Sequence, residues 1–290
     1  MNFGAASEVA PIRRLVLRHP RDAFGGADGI AAQWQMLGYA AAPNFAGACA
    51  EFDRFADLLA ELGVTVEYLD GDEGGLDSIY VHDPVLISTR GAILCGMGKA
   101  ARTGEPAAFA PWLARHGVPV IGAIDGDGLL EGGDVVWLDP RTVAVGAGYR
   151  TNAAGIAQLR HILGDEIDTL ITVPLPHWRG PEEVLHLMSL LSPVDDDLAV
   201  AYPPLLPVPF LSWLAERGVR LVAVPEEEFA SMGCNVLAVA PRRCIMLAGN
   251  PRTRAALEAE GVAVRTYEGR EISLKGAGGP TCLTRPVLRD

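Results

Sequence analysis

The recurring order of short apolar strands and amphipathic helices along the 290 residues most constrains the fold. Each unit reads roughly as strand, strand, helix, strand, and about five such units fit into the chain. Segments 135–138 and 143–145 are typical of one hairpin, with Asp139-Pro140-Arg141 as its turn. A helix at 152–163 and a strand at 168–173 complete that unit. The order predicts an α/β fold built from similar units.

The clearest single helix is predicted after Asn44, a residue type that favours the N-cap position. Gly63 stands where a left-handed C-terminal cap belongs, and a strand at 64–68 follows it. Further strands are predicted at 12–18, 79–81, 92–95, 119–121, 198–201, 221–224, 236–240, 244–247 and 262–267, and further helices at 107–116, 209–217 and 253–261.

No linker rich in Pro, Gly or Ser and no sharp change of composition divides the chain, so we expect one domain over residues 1–290. Hydrophobic residues make up 49% of the chain, which is enough for a large buried core. A doubly wound open sheet is the alternative fold, but it would need longer parallel crossovers and fewer hairpins.

Charge and cysteine content narrow the classes of partner. The net charge of −12 argues against a nucleic-acid surface, because phosphate contacts need clustered Lys and Arg. It is compatible with a cationic substrate, although solubility alone is the more common reason for an acidic chain. Five widely spaced cysteines form neither a disulfide framework nor C-x-x-C pairs for zinc. With no signal-peptide pattern and no apolar run of membrane length, we expect a cytoplasmic protein without a membrane partner.

Two acidic segments at the ends of apolar runs are candidate sites. If residues 79–81 form a strand, alternation places Asp77 and Asp83 on one face, where two carboxylates suit a planar cation with several N–H donors. Turn formation beside Pro84 is the structural alternative. In Glu131-Gly132-Gly133-Asp134, two glycines leave room beside the backbone, although an ordinary hairpin turn explains them equally well.

Two further segments hold a histidine and a cysteine. His186 lies inside an apolar run, where a core histidine is more common than a catalyst. Cys282 follows the glycine-rich stretch 276–280, whose backbone N–H groups would lower the pKa of its thiol. A lone cysteine followed by leucine is more often a small core residue.

Taken together and in this order, the four segments resemble the guanidino-modifying superfamily, nearest to the dimethylarginine dimethylaminohydrolases, with arginine deiminases and amidinotransferases as cousins. The resemblance extends from Arg13-Arg14-Leu15-Val16-Leu17 to Cys282, and the E-G-G-D and C-L-T segments are its most specific parts. It implies a pseudo-fivefold α/β propeller (pentein) of ββαβ units, which agrees with the order of strands and helices.

The resemblance also implies a role for each matching residue. Cys282 matches the nucleophile, His186 the general acid and base, and Glu131 the carboxylate that orients the histidine. The residues implied to bind substrate are Asp83 and Asp77, which hold the guanidinium, and Arg102 and Arg150, which grip a substrate carboxylate.

The activity implied by the resemblance is hydrolysis at a guanidino carbon of an arginine-like substrate, through a covalent thiouronium on Cys282. The products are an amine and a ureido compound, with no metal or organic cofactor, and a homodimer is expected from the family. An amidinotransferase, a hydrolase of citrulline or of another guanidino or ureido compound, and a non-catalytic binding protein are the alternatives. The presence of all three catalytic residues weakens the last.

Two positions depart from the family pattern. His82 stands where dimethylarginine hydrolases usually carry Glu and deiminases carry Arg. Met188 stands two residues after the histidine, where deiminases tend to carry Asp. The second change removes a carboxylate from the guanidinium site and disfavours plain arginine deimination, so the substrate stays open.

Overall fold

The computed structural model of the protein describes residues 2–71, 74–181, 183 and 185–290. Within these residues, fifteen strands form five separate sheets of three strands each. The strands are β1 Ile12–Leu17, β2 Thr65–Tyr68, β3 Val85–Ile87, β4 Ala92–Leu94, β5 Val120–Ala123, β6 Val135–Asp139, β7 Thr142–Ala147, β8 Thr169–Pro174, β9 Leu191–Asp195, β10 Leu198–Ala201, β11 Arg220–Ala223, β12 Val236–Ala240, β13 Arg243–Leu247, β14 Ala263–Tyr267 and β15 Arg285–Arg289.

Some of the helices join the two parallel strands of a sheet, and the others form short connections between elements. Those of the described residues are α1 Pro20–Ala23, α2 Gly26–Gln33, α3 Phe45–Glu61, α4 Glu105–Arg115, α5 Ala153–Leu163, α6 Val208–Glu216, α7 Glu226–Phe229 and α8 Pro251–Ala259. Short 3₁₀ turns at Leu76–Ile79, Ala100–Arg102, Gly132–Asp134, Gly164–Glu166, Leu187–Ser189 and Pro203–Leu205, and a π-helical turn at Arg270–Leu274, connect the elements.

Every sheet has the same pattern of pairing. The middle strand of each sheet is antiparallel to one neighbour and parallel to the other, and a crossover helix joins the two parallel strands. In the third sheet, Val135 of β6 lies opposite Val145 of β7, and Thr142 of β7 lies beside Thr169 of β8 after helix α5. The C-terminal strand β15 pairs with β1 and completes the first sheet. Five ββαβ units confirm the predicted propeller and exclude a doubly wound open sheet.

Helix α3 illustrates how local sequence and packing agree. The side chain of Asn44 accepts a hydrogen bond of 2.7 Å from the backbone N–H of Gly47 and caps the first turn. Phe52, Phe55 and Leu59 on one face of the helix are fully buried in the core. Gly63 follows the last turn with a φ of +86°, the left-handed conformation that glycine adopts at lowest cost.

The predicted strand at 79–81 is wrong, because residues Leu76–Ile79 form a 3₁₀ turn. Asp77 lies within that turn and Asp83 lies in the loop before β3, so they do not share one face of a strand. Strands β3, β9 and β15 escaped prediction. β3 has three residues, and β9 and β15 contain Pro193 and Pro286, a residue type that argues against a strand in sequence.

In the described part of the chain, no helix combines the length and the apolar character needed to span a bilayer.

Candidate active site

The candidate site is built from one equivalent position in each of the five units. A polar residue stands shortly before the first strand of every hairpin: Asp83 before β3, Glu131 before β6, His186 before β9, Asn235 before β12 and Cys282 before β15. Because the units repeat around a ring, these five segments converge at one end of it. Hydrogen bonds and close approaches between them, given below, link residues far apart in sequence.

His186 and Glu131 form the tightest pair of the site. The Nε2–H of His186 donates to Oε2 of Glu131 at 2.7 Å, and both side chains are buried. Burial alone would lower the pKa of His186, but Asp83, Asp134 and the bond to Glu131 outweigh it and raise the pKa to about 9. His186 is therefore an imidazolium at neutral pH, with Nδ1 as the nitrogen that Glu131 does not hold.

Backbone and side-chain donors fix Glu131 in turn. Its Oε1 accepts hydrogen bonds from the backbone N–H groups of Gly98 at 2.9 Å and Lys99 at 3.2 Å. Nη1 of Arg150 lies 3.4 Å from each carboxylate oxygen. Burial would raise the pKa of Glu131, but the hydrogen bond from His186 and nearby positive charges lower it. Glu131 is thus an ionised carboxylate positioned to orient the histidine.

Asp83 is the second carboxylate that faces His186. Its Oδ2 accepts a hydrogen bond from Nη1 of Arg102 at 2.6 Å, and its Oδ1 accepts one from the backbone N–H of Gly133 at 3.0 Å. Nδ1 of His186 lies 3.8 Å from the same Oδ1. Burial opposes ionisation, but the charges of His186 and Arg102 outweigh it and lower the pKa of Asp83. An ionised acceptor for a guanidinium therefore stands beside the histidine.

The glycines of the E-G-G-D segment are required by close approach. A Cβ on Gly133 would overlap the His186 ring and lie 2.9 Å from Oδ1 of Asp83. Neither glycine of the pair has a positive φ, so the lack of room for a side chain, and not the backbone conformation, explains why glycines stand here. The segment forms a 3₁₀ turn, and Oδ1 of Asp134 accepts the backbone N–H of Leu187 at 2.9 Å. Asp134 thereby anchors the turn that carries His186.

Cys282 lies beside Asn235, whose Nδ2 donates to the sulfur at 3.4 Å. Oδ1 of Asn235 also accepts the backbone N–H of Thr281 at 3.1 Å, so one amide holds the loop and contacts the thiol. Burial and the charge of Asp83 raise the pKa of Cys282 to about 12, beyond what the Gly279 backbone and Asn235 counter. The prediction that the glycine-rich loop lowers the pKa of the Cys282 thiol is therefore wrong for the protein without a bound substrate.

The two departures from the family pattern have structural roles here. Nδ1 of the buried His82 donates to the backbone carbonyl of Thr284 at 2.8 Å, and its backbone N–H donates to the carbonyl of Cys282 at 3.2 Å. An ionised carboxylate at this position could not donate to that carbonyl. Met188 is buried in an apolar cluster with Leu187 and Leu191. His82 thus secures the loop of Cys282, while Met188 belongs to the core.

Two cavities meet at Cys282 and His186. The first, here called the charged cavity, has a volume of about 100 Å³ and is lined by Asp77, Tyr80, Asp83, Lys99, Arg102 and Arg150, among others. The second, the aromatic cavity, has a volume of about 130 Å³ and is lined by Trp178, Arg179, Phe229, Met232, Cys234 and Asn235, among others. Glu183, His186, Ala277 and Cys282 line both.

The charged cavity contains the four residues predicted to bind substrate, but most of them already have ionic partners. Oδ2 of Asp77 lies 2.6 Å from Nζ of Lys99. Arg102 bonds to Asp83 at 2.6 Å and to both oxygens of Glu105, at 3.0 and 2.8 Å. Among the described residues, Arg150 makes only the long side-chain contacts to Glu131 given above. Of the two arginines, Arg150 therefore has more donor capacity left for a substrate carboxylate.

Asp83, Glu131 and His186 also offer one ligand atom each within 4.8 Å of one another, the spacing of a metal site. Both carboxylates already accept charge-assisted hydrogen bonds, from Arg102 and His186 respectively. A cation bound here would compete with these partners, so the geometry favours proton transfer over metal binding.

Sequence reasoning missed Lys99, Glu105 and Asn235 as parts of the site, and it assigned no role to Asp134 of the candidate E-G-G-D segment. Asn235 could have been found from the repeat, since it directly precedes the predicted strand 236–240 and Glu131 likewise lies shortly before the predicted strand 135–138. Lys99 and Glu105 flank Arg102, but nothing in the sequence indicates which carboxylate each cation meets.

Comparison with known proteins gives the family. The family model described as "N,N dimethylarginine dimethylhydrolase, eukaryotic" matches residues 31–289. An N(G),N(G)-dimethylarginine dimethylaminohydrolase of Streptomyces coelicolor is 30% identical over 203 residues, 70% of this chain and 72% of that protein.

An arginine deiminase of Rhodococcus opacus is 34% identical over 193 residues, 56% of this chain. The match spans less than half, 46%, of that deiminase. A solved structure of the Pseudomonas aeruginosa dimethylarginine dimethylaminohydrolase, a cysteine-to-serine mutant complexed with citrulline, superimposes with a TM-score of 0.76 and 26% identity. It covers 97% of this chain and 100% of its own.

Proposed function

The chain belongs to the dimethylarginine dimethylaminohydrolase family, and we propose from this premise that it hydrolyses a guanidino C–N bond of an arginine-like substrate. The observation that carries the proposal is the meeting of two cavities at a thiol and a protonated histidine, with an ionised carboxylate beside them. Site residues come from all five units, so we treat residues 1–290 as one catalytic domain.

The first step is attack of the Cys282 sulfur on the guanidinium carbon. Asp83 accepts N–H groups of the guanidinium and aims its carbon at the sulfur. Because the thiol pKa is raised in the protein alone, the cationic substrate itself promotes ionisation: a guanidinium beside the sulfur favours the thiolate, and the proton leaves to solvent. A C–S bond forms and gives a neutral tetrahedral adduct.

Proton transfer by His186 completes both halves of the reaction. The imidazolium, oriented by Glu131, gives its Nδ1 proton to the departing amine as the C–N bond breaks and leaves a covalent thiouronium on Cys282. The neutral imidazole then takes a proton from water, whose oxygen attacks the same carbon. The C–S bond then breaks as the hydroxyl proton of the adduct passes to the departing sulfur, so that a neutral ureido product leaves, Cys282 returns as the thiol, and His186 returns as the imidazolium.

The two cavities give the substrate a direction. We place the substrate tail in the charged cavity, where Arg150 has donors for a carboxylate, and the departing amine in the aromatic cavity, where Trp178 and Phe229 suit its alkyl substituents. Arg102, held by Asp83 and Glu105, keeps Asp83 in place and has one Nη1 hydrogen left for the tail.

An amidinotransferase is the second candidate, because the aromatic cavity also offers room for an acceptor amine next to the covalent intermediate. Water and amine would then compete for one thiouronium. A ureido product that stays constant as amine is added favours the hydrolase, and a new substituted guanidine favours the transferase.

We also propose a cytoplasmic location and a homodimer. The five cysteines are all free thiols, which suits a reducing compartment. Cell fractionation tests the location, and light scattering distinguishes the 30.7 kDa chain from its dimer.

The proposed activity is tested by ureido product formation from dimethylarginine, monomethylarginine, arginine, agmatine and short guanidino acids, with ammonia release measured for citrulline. Turnover by the wild type and its loss in Cys282→Ser support the proposal. Turnover that survives in Cys282→Ser contradicts it.

A further inference from the structure

Lys99 occupies the end of the charged cavity that holds Asp77. Its Nζ lies 2.6 Å from Oδ2 of Asp77 and donates to the backbone carbonyl of Leu37 at 2.7 Å. The Asp77 side chain is only 8% exposed, whereas Lys99 is 21% exposed and lines the cavity. An ammonium group has three donors, so at least one N–H remains for a ligand.

At the Asp77 end of the charged cavity, each aspartate already faces a cation. Asp77 forms an ion pair with Lys99, and Asp83 forms one with Arg102. Glu183, the third carboxylate of the charged cavity, also lines the aromatic cavity and so lies at the junction with Cys282, away from this end. An α-ammonium group at the Asp77 end would therefore meet the charge of Lys99 beside aspartates that already have cationic partners, whereas a carboxylate tail would meet Lys99 and Arg150.

We propose that Lys99 is a specificity-determining residue that selects substrates with a carboxylate tail and no α-ammonium group, that is, ω-guanidino carboxylates. The proposal rests on the proposed guanidino hydrolase activity and names the substrate class of that site. A carboxylate bound by Lys99 gains a charge-assisted hydrogen bond. The α-ammonium group of an amino acid would instead be repelled by the ammonium group of Lys99 at the same place.

The experiment compares two substrates that differ in one group: Nω,Nω-dimethylarginine and its analogue without the α-amino group. We expect the wild type to favour the analogue in kcat/KM, and Lys99→Met to reduce that preference at least about 10-fold. Asp77→Asn removes the carboxylate partner of Lys99 and should increase the preference for the analogue without the α-amino group. Opposite shifts in these two variants distinguish tail selection from general damage to the cavity.

Lys275→Met is the matched control. The chain has two lysines, and Nζ of Lys275 likewise contacts a carboxylate, Glu271 at 2.6 Å, and a carbonyl, Ala42 at 2.9 Å. Lys275 is not among the residues that line either cavity. The preference should be unchanged in this variant, and thermal unfolding of all three variants confirms folding.

Binding of the same pair to Cys282→Ala, with and without Lys99→Met, separates this inference from the proposed function. A preference in Kd that Lys99→Met removes supports the inference, whether or not the wild type turns over either compound. Absence of turnover of both compounds would refute the proposed hydrolase activity and not the inference. Turnover of both compounds with a ratio that Lys99→Met does not alter overturns the inference and leaves the hydrolase standing.

Discussion

The charged cavity and the aromatic cavity meet at Cys282 and His186, yet their walls differ in the balance of charged and apolar side chains. The charged cavity contains three carboxylates and three permanently cationic side chains, most of them already paired, so it can orient a charged ligand without reorganisation. The aromatic cavity contains Trp178, Phe229 and Met232, and, of the described residues that line it beyond those shared by both cavities, the one charged side chain is Arg179. The difference teaches that the site has a direction: most of the charge lies on one side, and an apolar group is accommodated on the other.

The largest effect is expected for His186→Gln, which removes the proposed proton donor at the junction. We expect kcat to fall by about 10²- to 10⁴-fold on an amine-releasing substrate, because the departing amine then leaves unprotonated. An S-alkyl isothiourea of the same tail releases a thiol that does not need this proton, so its kcat should fall much less. Equal losses on both substrates would contradict a role for His186 as acid towards the leaving group.

Cys282 alkylation tests the state of the junction without substrate. Since burial raises the thiol pKa to about 12, the neutral thiol dominates at pH 7, and the thiolate fraction rises about tenfold with each pH unit. The rate with iodoacetamide, followed on the Cys282 peptide, should rise about 100-fold between pH 7 and pH 9. A rate that reaches a plateau near neutral pH would mean that Cys282 is already a thiolate without substrate. The peptide that contains the half-buried Cys49 serves as the internal reference.

Asp83→Asn weakens the charged side and also removes one of the charges that raise the pKa of His186. The variant loses an ionised acceptor for the guanidinium and the partner of Arg102, so we expect kcat/KM to fall about 10- to 100-fold, with KM raised. Steady-state kinetics at fixed pH measures both constants. An unchanged KM would indicate that Asp83 does not contact the substrate.

Phe229→Ala enlarges the aromatic side and has the smallest expected effect. Substrates with methyl and propyl groups on the reacting nitrogen should change their ratio of kcat/KM by about 10-fold in favour of propyl. The preference governed by Lys99 should stay as it is. If Phe229→Ala also alters the tail preference, the two cavities are not independent and the comparison fails.

The order of units was predictable because each crossover helix, and the strands on either side of it, leave a recognisable pattern of apolar residues. Strand β15 escaped prediction because Arg285 and Arg289 are buried there, so the segment reads as polar in sequence. The left-handed residue Gly63 could be anticipated from helix capping, whereas the close approach at Gly133 depends on His186, which is distant in the chain.

The site was predictable only as a set of residues. Motif order identified Cys282, His186 and Glu131 through resemblance, but their partners follow from the ring of units. Asn235 and Cys282 are 47 residues apart, and Lys99 meets the carbonyl of Leu37 from 62 residues away. Sequence spacing cannot specify such contacts, so neither the raised pKa of the thiol nor the pairing of Asp77 could be foreseen.

The measurement that tests the central claim most directly is mass spectrometry of the enzyme quenched in acid during turnover. Monomethyl- and dimethyl-guanidino substrates with the same tail should give one identical mass increase on the Cys282 peptide, because the substituted amine has left for the aromatic side and the tail fragment remains. Adducts that keep their methyl groups, or a mass increase on another residue, would contradict attack by Cys282 at the junction of the two cavities.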